Sequence, residues 1–148
     1  MRISAKARYA LAAIITMAEK KREEECITII SLSEELKISK IYLEQIFTQL
    51  KRGDIVVSTK GSKGGYSLSR PLSEITAYDL FISIENSLFE PTEKTVEQSV
   101  PHLENCMQKE VFCPLDEAVK EKLGSITIED LVNKLGKYRG NTNYMYYV

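Results

Sequence analysis

Two cysteines and the single histidine of this chain lie close together in its second half. Cys106 and Cys113 are seven positions apart, and His102 precedes Cys106 by four. Thiolates and imidazoles are metal ligands, and the thiolate is also the reactive form of a redox switch. A [2Fe-2S] cluster takes four protein ligands, and these three residues are one short. Cluster ligands, a thiol switch and inert residues stay open as interpretations of the two cysteines, whereas His102 is interpreted as a loop residue.

The remaining polar residues give no catalytic site. Cys26 follows Glu23, Glu24 and Glu25, whose negative charge disfavours the thiolate, so we interpret it as a small, half-buried residue. With one histidine and no nucleophile paired with a base, the chain shows no acid-base or nucleophilic machinery. The sequence therefore predicts a protein that is not an enzyme.

A glycine-rich basic run lies near the middle of the chain, at Lys60-Gly61-Ser62-Lys63-Gly64-Gly65. A phosphate-binding loop of the nucleotide type needs a helix after its glycines. Here Tyr66 and Leu68 alternate as in a strand, and the β-branched run at 55–59 precedes the glycines. The pattern predicts a β-hairpin with a basic tip, in which Lys60 and Lys63 contact phosphates and Ser62 lies between them.

The helix before this hairpin has one apolar and one polar face. Ser39 opens it, and its apolar stripe consists of Leu43, Ile46, Phe47 and Leu50. A shorter helix precedes it by a few residues, which is the helix-turn-helix pattern. We expect Glu44 to accept from cytosine and Gln45 to pair with adenine, and Tyr42 either to touch DNA or to pack under the hairpin. The outer face holds Lys40, Ile41, Tyr42, Glu44 and Gln45.

The flanking elements follow from periodicity and capping signals. A first helix is predicted from about 4 to 20, and Ser31 or Ser33 is expected to cap the second. Thr76 with Asp79 has capping-box spacing, and a similar start recurs at 126–131. The segment 87–105 reads as a loop or mobile insert. A further helix either runs through Pro114 or starts at it, and a start is favoured because an interior proline costs about 3 kcal/mol.

The charge distribution separates two halves. Residues 1–70 hold 13 Lys and Arg against 8 Asp and Glu, while the remainder holds 7 against 13. A basic first half suggests a polyanion partner. No apolar run reaches the roughly 18 residues of a membrane helix, and the start lacks a signal-peptide cleavage site, so we expect a cytoplasmic protein without a membrane partner. We predict a winged helix-turn-helix domain at 1–72 and a second part at 73–148, which the resemblance described next implies to be a sensor loop, dimerisation helix and tail.

On these residues the chain resembles the Rrf-type family of bacterial winged-helix regulators (IscR, NsrR and CymR type), closest to its CymR-like branch. The resemblance rests on four blocks that bracket nearly the whole chain: 1–10 (MRISAKARYA), 42–47 (YLEQIF), 60–66 (KGSKGGY) and 125–131 (SITIEDL). It implies a mainly α fold with a small β-hairpin wing, and a homodimer that binds double-stranded DNA at a palindromic operator.

The resemblance also implies where DNA and the second subunit bind. Each subunit would present one winged helix to half of the operator, with half-sites about one helical turn apart. The expected dimer helix carries Val111, Leu115, Ala118, Val119 and Leu123. The expected DNA contacts are Arg2, Lys6, Ser39, Lys40, Ile41, Tyr42, Glu44, Gln45, Lys60, Ser62 and Lys63.

The sensor is where the chain departs from the cluster-binding branch. Cluster-binding members have three cysteines in the loop before the dimer helix, whereas this chain has two, and Arg8 stands where some members have an acidic ligand. The aromatic tail at 143–148 resembles CymR-type members, which respond through an enzyme of cysteine synthesis. Docking on such a partner and covering the dimer helix both stay open as interpretations of the tail. We therefore expect a repressor of sulfur or cysteine metabolism with no cofactor. A [2Fe-2S] or thiol sensor of the same fold, and a winged helix used only for protein interaction, are the alternatives.

Overall fold

The computed structural model describes the backbone of residues 3–21 and 26–146 and, within these ranges, the side chains up to residue 141. Mainly helical, it contains one two-stranded sheet. The elements are α1 (Ala5–Lys20), α2 (Ile29–Leu36), α3 (Lys40–Arg52), β1 (Val56–Thr59), β2 (Gly65–Leu68), α4 (Ala77–Ile84), α5 (Pro101–Met107), α6 (Cys113–Gly124) and α7 (Ile128–Tyr146). Short 3₁₀ turns lie at Leu72–Glu74 and Asn86–Phe89, and a π-helical turn at Gln108–Phe112.

The centre of the fold is α1, which contacts α2, α3, α4 and α7. It begins as predicted, because the Ser4 side chain accepts the N–H of Ala7 at 3.1 Å. Its buried face alternates small and large residues, and Ala10, Ala13 and Ile14 have no exposed surface. The alanines allow neighbouring helices to approach closely. One continuous core therefore joins residues from both sides of position 72, including Leu43, Leu80 and Ile128.

The two helices of the helix-turn-helix are fixed by local hydrogen bonds. Thr28, not Ser31 or Ser33, caps α2: its side chain accepts the N–H of Ser31 at 3.1 Å. Ser33 lies inside α2 and donates to the carbonyl of Ile38 at 2.7 Å, which closes the turn. Lys37, at φ 56°, ends α2 in the left-handed region. The sequence missed Thr28 because several hydroxyl residues compete there, and only the backbone path decides which one faces the free N–H groups.

The predicted β-hairpin is present and is anchored to the segment before α2. β1 pairs antiparallel with β2, from Val56 opposite Leu68 to Thr59 opposite Gly65. The backbones of Ile27 and Tyr66 exchange two hydrogen bonds of 2.8 Å, which attaches the hairpin to the helix-turn-helix. Gly65 has φ +151°, and a β-carbon there would lie 2.6 Å from the carbonyl oxygen of Ile27. The glycine is thus required for this close strand approach.

The two similar helix starts at 75–80 and 126–131 lie side by side. In each, a threonine and an aspartate three residues later form reciprocal hydrogen bonds, Thr76 with Asp79 and Thr127 with Asp130. The two starts are also joined to each other, because Ala77 N–H donates to Ile126 at 2.8 Å and Ile128 N–H to Ile75 at 2.9 Å. α7 is therefore tied to the start of α4.

The structure corrects two predictions in the second half. Residues 101–105, expected in a loop, form the first part of α5, and residues 86–89 form a 3₁₀ turn. The helix expected at Pro114 does start within one residue of it, since α6 begins at Cys113 with the proline in its first turn, but the segment before it is helical too, so the backbone is continuously helical from 101 to 124. The π-helical turn before the proline explains this, since Cys113 N–H donates to Gln108, five residues back. The wider turn makes room for the ring that would clash in a regular helix.

Candidate nucleic-acid interface

The exposed face of α3 is fixed by its cap and its core stripe. Ser39 accepts the N–H of Tyr42 at 3.2 Å, so the helix begins where the sequence predicts. The stripe Leu43, Ile46, Phe47 and Leu50 has no exposed surface. Four predicted contact residues are consequently exposed: Lys40, Ile41, Glu44 and Gln45. This face offers a cation, a carboxylate, an amide and an aliphatic group within the first two turns of the helix.

Two tyrosines of this region contact other aromatic rings. Tyr42 is half-buried and stands edge-on to Tyr9 of α1, with ring centroids 5.8 Å apart. Tyr66 of the hairpin, rather than Tyr42, packs against Phe47 of α3, at 4.8 Å between centroids. Tyr42 therefore helps to orient the N-terminal turn of α3 on α1, and Phe47 joins α3 to the hairpin from beneath.

The hairpin tip extends away from the core as a basic surface. Lys60, Ser62 and Lys63 are exposed, and Gly61 turns the chain at φ +110°. A direct contact links the hairpin to α3, because the Lys51 ammonium donates to the hydroxyl of Ser58 at 2.6 Å. The end of α3 and the hairpin are thus held together, so the lysines of the tip keep a fixed spacing from the polar face of α3.

Other predicted contacts lie at the start of α1. Lys6 is half-exposed on its first turn. Arg2 lies outside the described residues. The sequence analysis did not single out Thr48 and Arg52, which are exposed on the same face of α3 as Ile41. Their positions at seven and eleven residues after Ile41 follow from the 3.6-residue period, and extending the polar stripe beyond the first two turns would have found them.

The candidate sensor residues lie on the continuous helix at 101–124 instead of in a loop. His102, Cys106 and Cys113 are all exposed. Cys106 and Cys113 are two turns apart on one continuous helical segment, a rise of roughly 10 Å. Within residues 3–21 and 26–146, no group of three His, Cys, Asp or Glu side chains is placed to hold a metal ion. The described residues of one subunit therefore do not bring together the four ligands that a [2Fe-2S] cluster needs.

A buried carboxylate holds the segment before this helix. Glu104 is 1% exposed and accepts the N–H groups of Val96 at 2.8 Å and Thr95 at 3.0 Å. Gln108 donates to its other oxygen at 3.1 Å. The hydrogen bonds from Val96, Gln108 and Thr95 hold the pKa of Glu104 below its ordinary value of 4.5 against the opposing effect of burial. Glu104 thereby fixes the segment at 95–96 on α5 without a metal.

The residues expected at the dimer interface form part of an apolar surface on this helix. Val111 and Leu115 are 54% and 57% exposed, and Leu103 on the first turn is 52% exposed. Ala118 is exposed, and Val119 and Leu123 are partly buried. Ala118, Val119 and Leu123, with Ile3, Phe81 and Lys122, line an apolar hollow of about 380 Å³. Leu103 was missed because the sequence placed it in a loop.

Comparison with known proteins agrees with this architecture. Residues 3–134 match the Rrf2 family, described as an iron-dependent transcriptional regulator. The HTH-type transcriptional regulator IscR of Photorhabdus laumondii is 30% identical over 133 residues, which is 90% of this chain and 80% of that protein. IscR of Pectobacterium atrosepticum is 31% identical over the same shares.

Two solved structures resemble this chain in both fold and sequence. CymR (YrzC), the global cysteine regulator of B. subtilis, superposes with a TM-score of 0.75 at 31% identity over 90% of this chain and 98% of that one. T. potens IscR gives 0.74 at 27% identity over 99% and 97%. Family members are transcription regulators that bind DNA and are typically dimeric. No helix within the described residues has the length and apolarity that a membrane span requires. The chain belongs to the Rrf2 family and is a DNA-binding transcription regulator with a winged-helix fold rather than an enzyme.

Proposed function

We propose that this regulator is a cytoplasmic homodimeric repressor that binds a palindromic operator, with α3 of each subunit in the major groove and the hairpin tip on the phosphate backbone. The observation that carries the proposal is the exposed polar face of α3 beside the lysine-bearing tip. The contacts we assign are Arg2, Lys6, Ser39, Lys40, Ile41, Glu44, Gln45, Lys60, Ser62 and Lys63. Tyr42 positions α3 through Tyr9.

The contacts between α3 and the hairpin support a rigid DNA-binding unit. The Lys51–Ser58 hydrogen bond and the Phe47–Tyr66 ring contact join the two elements at the surface and in the core. Lys60 and Lys63 therefore fix the distance of α3 from the phosphate backbone of DNA, and Glu44 and Gln45 face the bases. Phosphate contacts position a protein on the duplex and base contacts specify the sequence.

The second half of the chain carries the surface on which the second subunit packs. Leu103, Val111 and Leu115 of the 101–124 helix are each about half exposed in the subunit. Their apolar side chains can therefore form the core of an interface. Charged residues are disfavoured at such a core. We assign residues 1–72 to DNA reading and 73–148 to dimerisation and signal reception, although both parts share one hydrophobic core.

The signal belongs to sulfur or cysteine metabolism in this proposal. CymR is the global cysteine regulator of B. subtilis, and its structure covers 90% of this chain. The described residues of one subunit do not bring four cluster ligands together, and this supports the cluster-free branch over an iron-sulfur sensor. The tail at 143–148, proposed as the docking segment for an enzyme of cysteine synthesis, lies outside the described side chains and rests on the sequence alone.

The experiment that tests this function selects bound duplexes from a random-sequence pool and measures the mass of the free protein by sedimentation. A palindromic motif with half-sites about one helical turn apart, together with a dimer mass, is expected. Leu115→Glu should shift the mass to that of a monomer, and Ile30→Glu, an equally exposed site on α2, should not. Selection of no motif, or a monomer mass for the wild type, would contradict the proposal.

A further inference from the structure

One residue of the base-facing surface has no hydrogen-bonding group. Ile41 is 70% exposed in the second position of α3. Leu50 lies nine positions later, which is two and a half turns, so it points in the opposite direction from Ile41. Leu50 is fully buried. Ile41 is therefore at the part of α3 farthest from the hydrophobic core.

Packing against the described residues does not account for an aliphatic side chain at this position. The neighbours of Ile41 on the exposed face are polar, namely Lys40, Glu44, Gln45 and Thr48. A β-branched residue has no helix-forming advantage over the straight-chain polar residues beside it. Its exposure shows that it contributes little to the core. The position of Ile41 on the face proposed to meet DNA, unlike that of the exposed Ile30 on α2, points to a contact outside the folded chain.

The major groove contains one apolar group for such a side chain. Base edges there present hydrogen-bond donors and acceptors, except for the C5-methyl group of thymine. We propose that Ile41 selects a thymine in each operator half-site by packing against this methyl group. The inference rests on the proposed placement of α3 in the major groove and adds the base that this residue recognises.

The helix geometry also limits where that thymine lies. Gln45 follows Ile41 by one turn on the same exposed face. Four residues of α-helix rise about 6 Å, and successive base pairs are spaced about 3.4 Å, so the two residues are about two base-pair steps apart. The thymine that Ile41 contacts lies within about two base pairs of the base that Gln45 contacts.

The test begins with duplex selection for the wild type and two variants. Ile41→Ser should lose the preference for one thymine in each half-site and keep the rest of the motif. Ile30→Ser removes an exposed isoleucine from α2 and should select the wild-type motif. Each thymine of the selected half-site is then replaced in turn by deoxyuridine, which removes only the methyl group. At one position per half-site the wild-type affinity should fall about fourfold, the factor expected for one methyl-sized group removed from water.

The outcomes separate this inference from the proposed function. For Ile41→Ser the thymine and deoxyuridine duplexes should bind within 1.5-fold or so of each other, while Ile41→Val should keep the wild-type preference. If the wild type selects a motif but is indifferent to every deoxyuridine, or if Ile41→Ser selects the wild-type motif, the inference is overturned and DNA reading by α3 stands. Selection of the wild-type motif by Ile41→Ser would point to protein docking at Ile41. If the wild type selects no motif, the proposed function fails as well.

Discussion

Gly53, which ends α3, is in direct contact with Ser83 of α4. A β-carbon at position 53 would lie 2.3 Å from the Cβ of Ser83 and 3.2 Å from its hydroxyl oxygen. Gly53 has φ −81°, an angle that any residue adopts, so the glycine is required by space and not by backbone conformation. The helix α3 therefore packs on α4, and α4 contacts α6 of the 101–124 helix.

Gly53→Ala is expected to destabilise the protein by roughly 1–3 kcal/mol, because the added methyl group overfills a closely packed contact. Urea denaturation measures the loss. Ser83→Gly in the same chain should recover part of it by removing the opposing side chain. Gly136→Ala in α7 is the matched control: its β-carbon would meet nothing within 4 Å, so the variant should be neutral or slightly more stable.

The wing lysines are expected to act on every duplex alike. Lys60→Ala and Lys63→Ala should each weaken binding to both selected and random duplexes, because each removes one phosphate contact. The slope of log affinity against log salt should become shallower by about 0.9 per lysine. Lys134→Ala, an exposed lysine on α7, is the control. An unchanged slope in both wing variants would remove the hairpin tip from the interface.

Glu44→Ala should instead change sequence preference. Loss of a base-accepting carboxylate should relax discrimination at particular base pairs by roughly 1–3 kcal/mol and leave affinity for random duplexes nearly intact. The fold should be unaffected, because the Lys40–Glu44 pair is exposed, at 3.9 Å, and is worth at most about 0.5 kcal/mol. Competition binding against single-base operator variants measures the effect, with Glu117→Ala on α6 as control. Uniform weakening across all sequences would argue against base reading.

Glu104 should make the 95–96 segment sensitive to acid. Its folded-state pKa is lowered, so the ionised carboxylate stabilises the fold above its ordinary pKa of 4.5. That stabilisation is lost as the pH falls through the lowered folded-state value. Hydrogen exchange at the Thr95 and Val96 amides should therefore accelerate on acidification after correction for intrinsic rates. Glu104→Gln should lose this pH dependence, and Glu110→Gln should keep it. An identical profile in Glu104→Gln would assign the effect to another group.

The cysteines are expected to carry no cluster. Protein purified without oxygen should be colourless and lack stoichiometric iron and sulfide, because Cys106 and Cys113 are roughly 10 Å apart along one helix. The same spacing exceeds the Cα separation of a disulfide, so mild oxidation should give no Cys106–Cys113 bridge within a subunit. Absorption spectroscopy and non-reducing peptide mapping check both points. A visible band that disappears in Cys106→Ala would contradict the expectation.

The sequence predicted the features that depend on neighbours three or four residues apart. The Ser39 cap, the buried stripe of α3 and the Thr76–Asp79 capping box all follow from helical spacing. The basic tip follows from glycines that turn the chain between two short strands. These contacts form within a few residues of each other, so the residue types suffice to identify them.

Tertiary structure decided the features in which distant segments meet. Thr28 became the α2 cap because Ile27 is held by Tyr66, far along the chain. Residues 101–105 are helical because Glu104 is buried under the backbone of 95–96, and a π-helical turn lets the helix continue through Pro114. Ser83 contacts Gly53 at the end of α3 only because α4 packs against α3 in the folded chain. The energies of these contacts depend on distances that no local spacing encodes, whereas caps and stripes depend on the period of the helix alone.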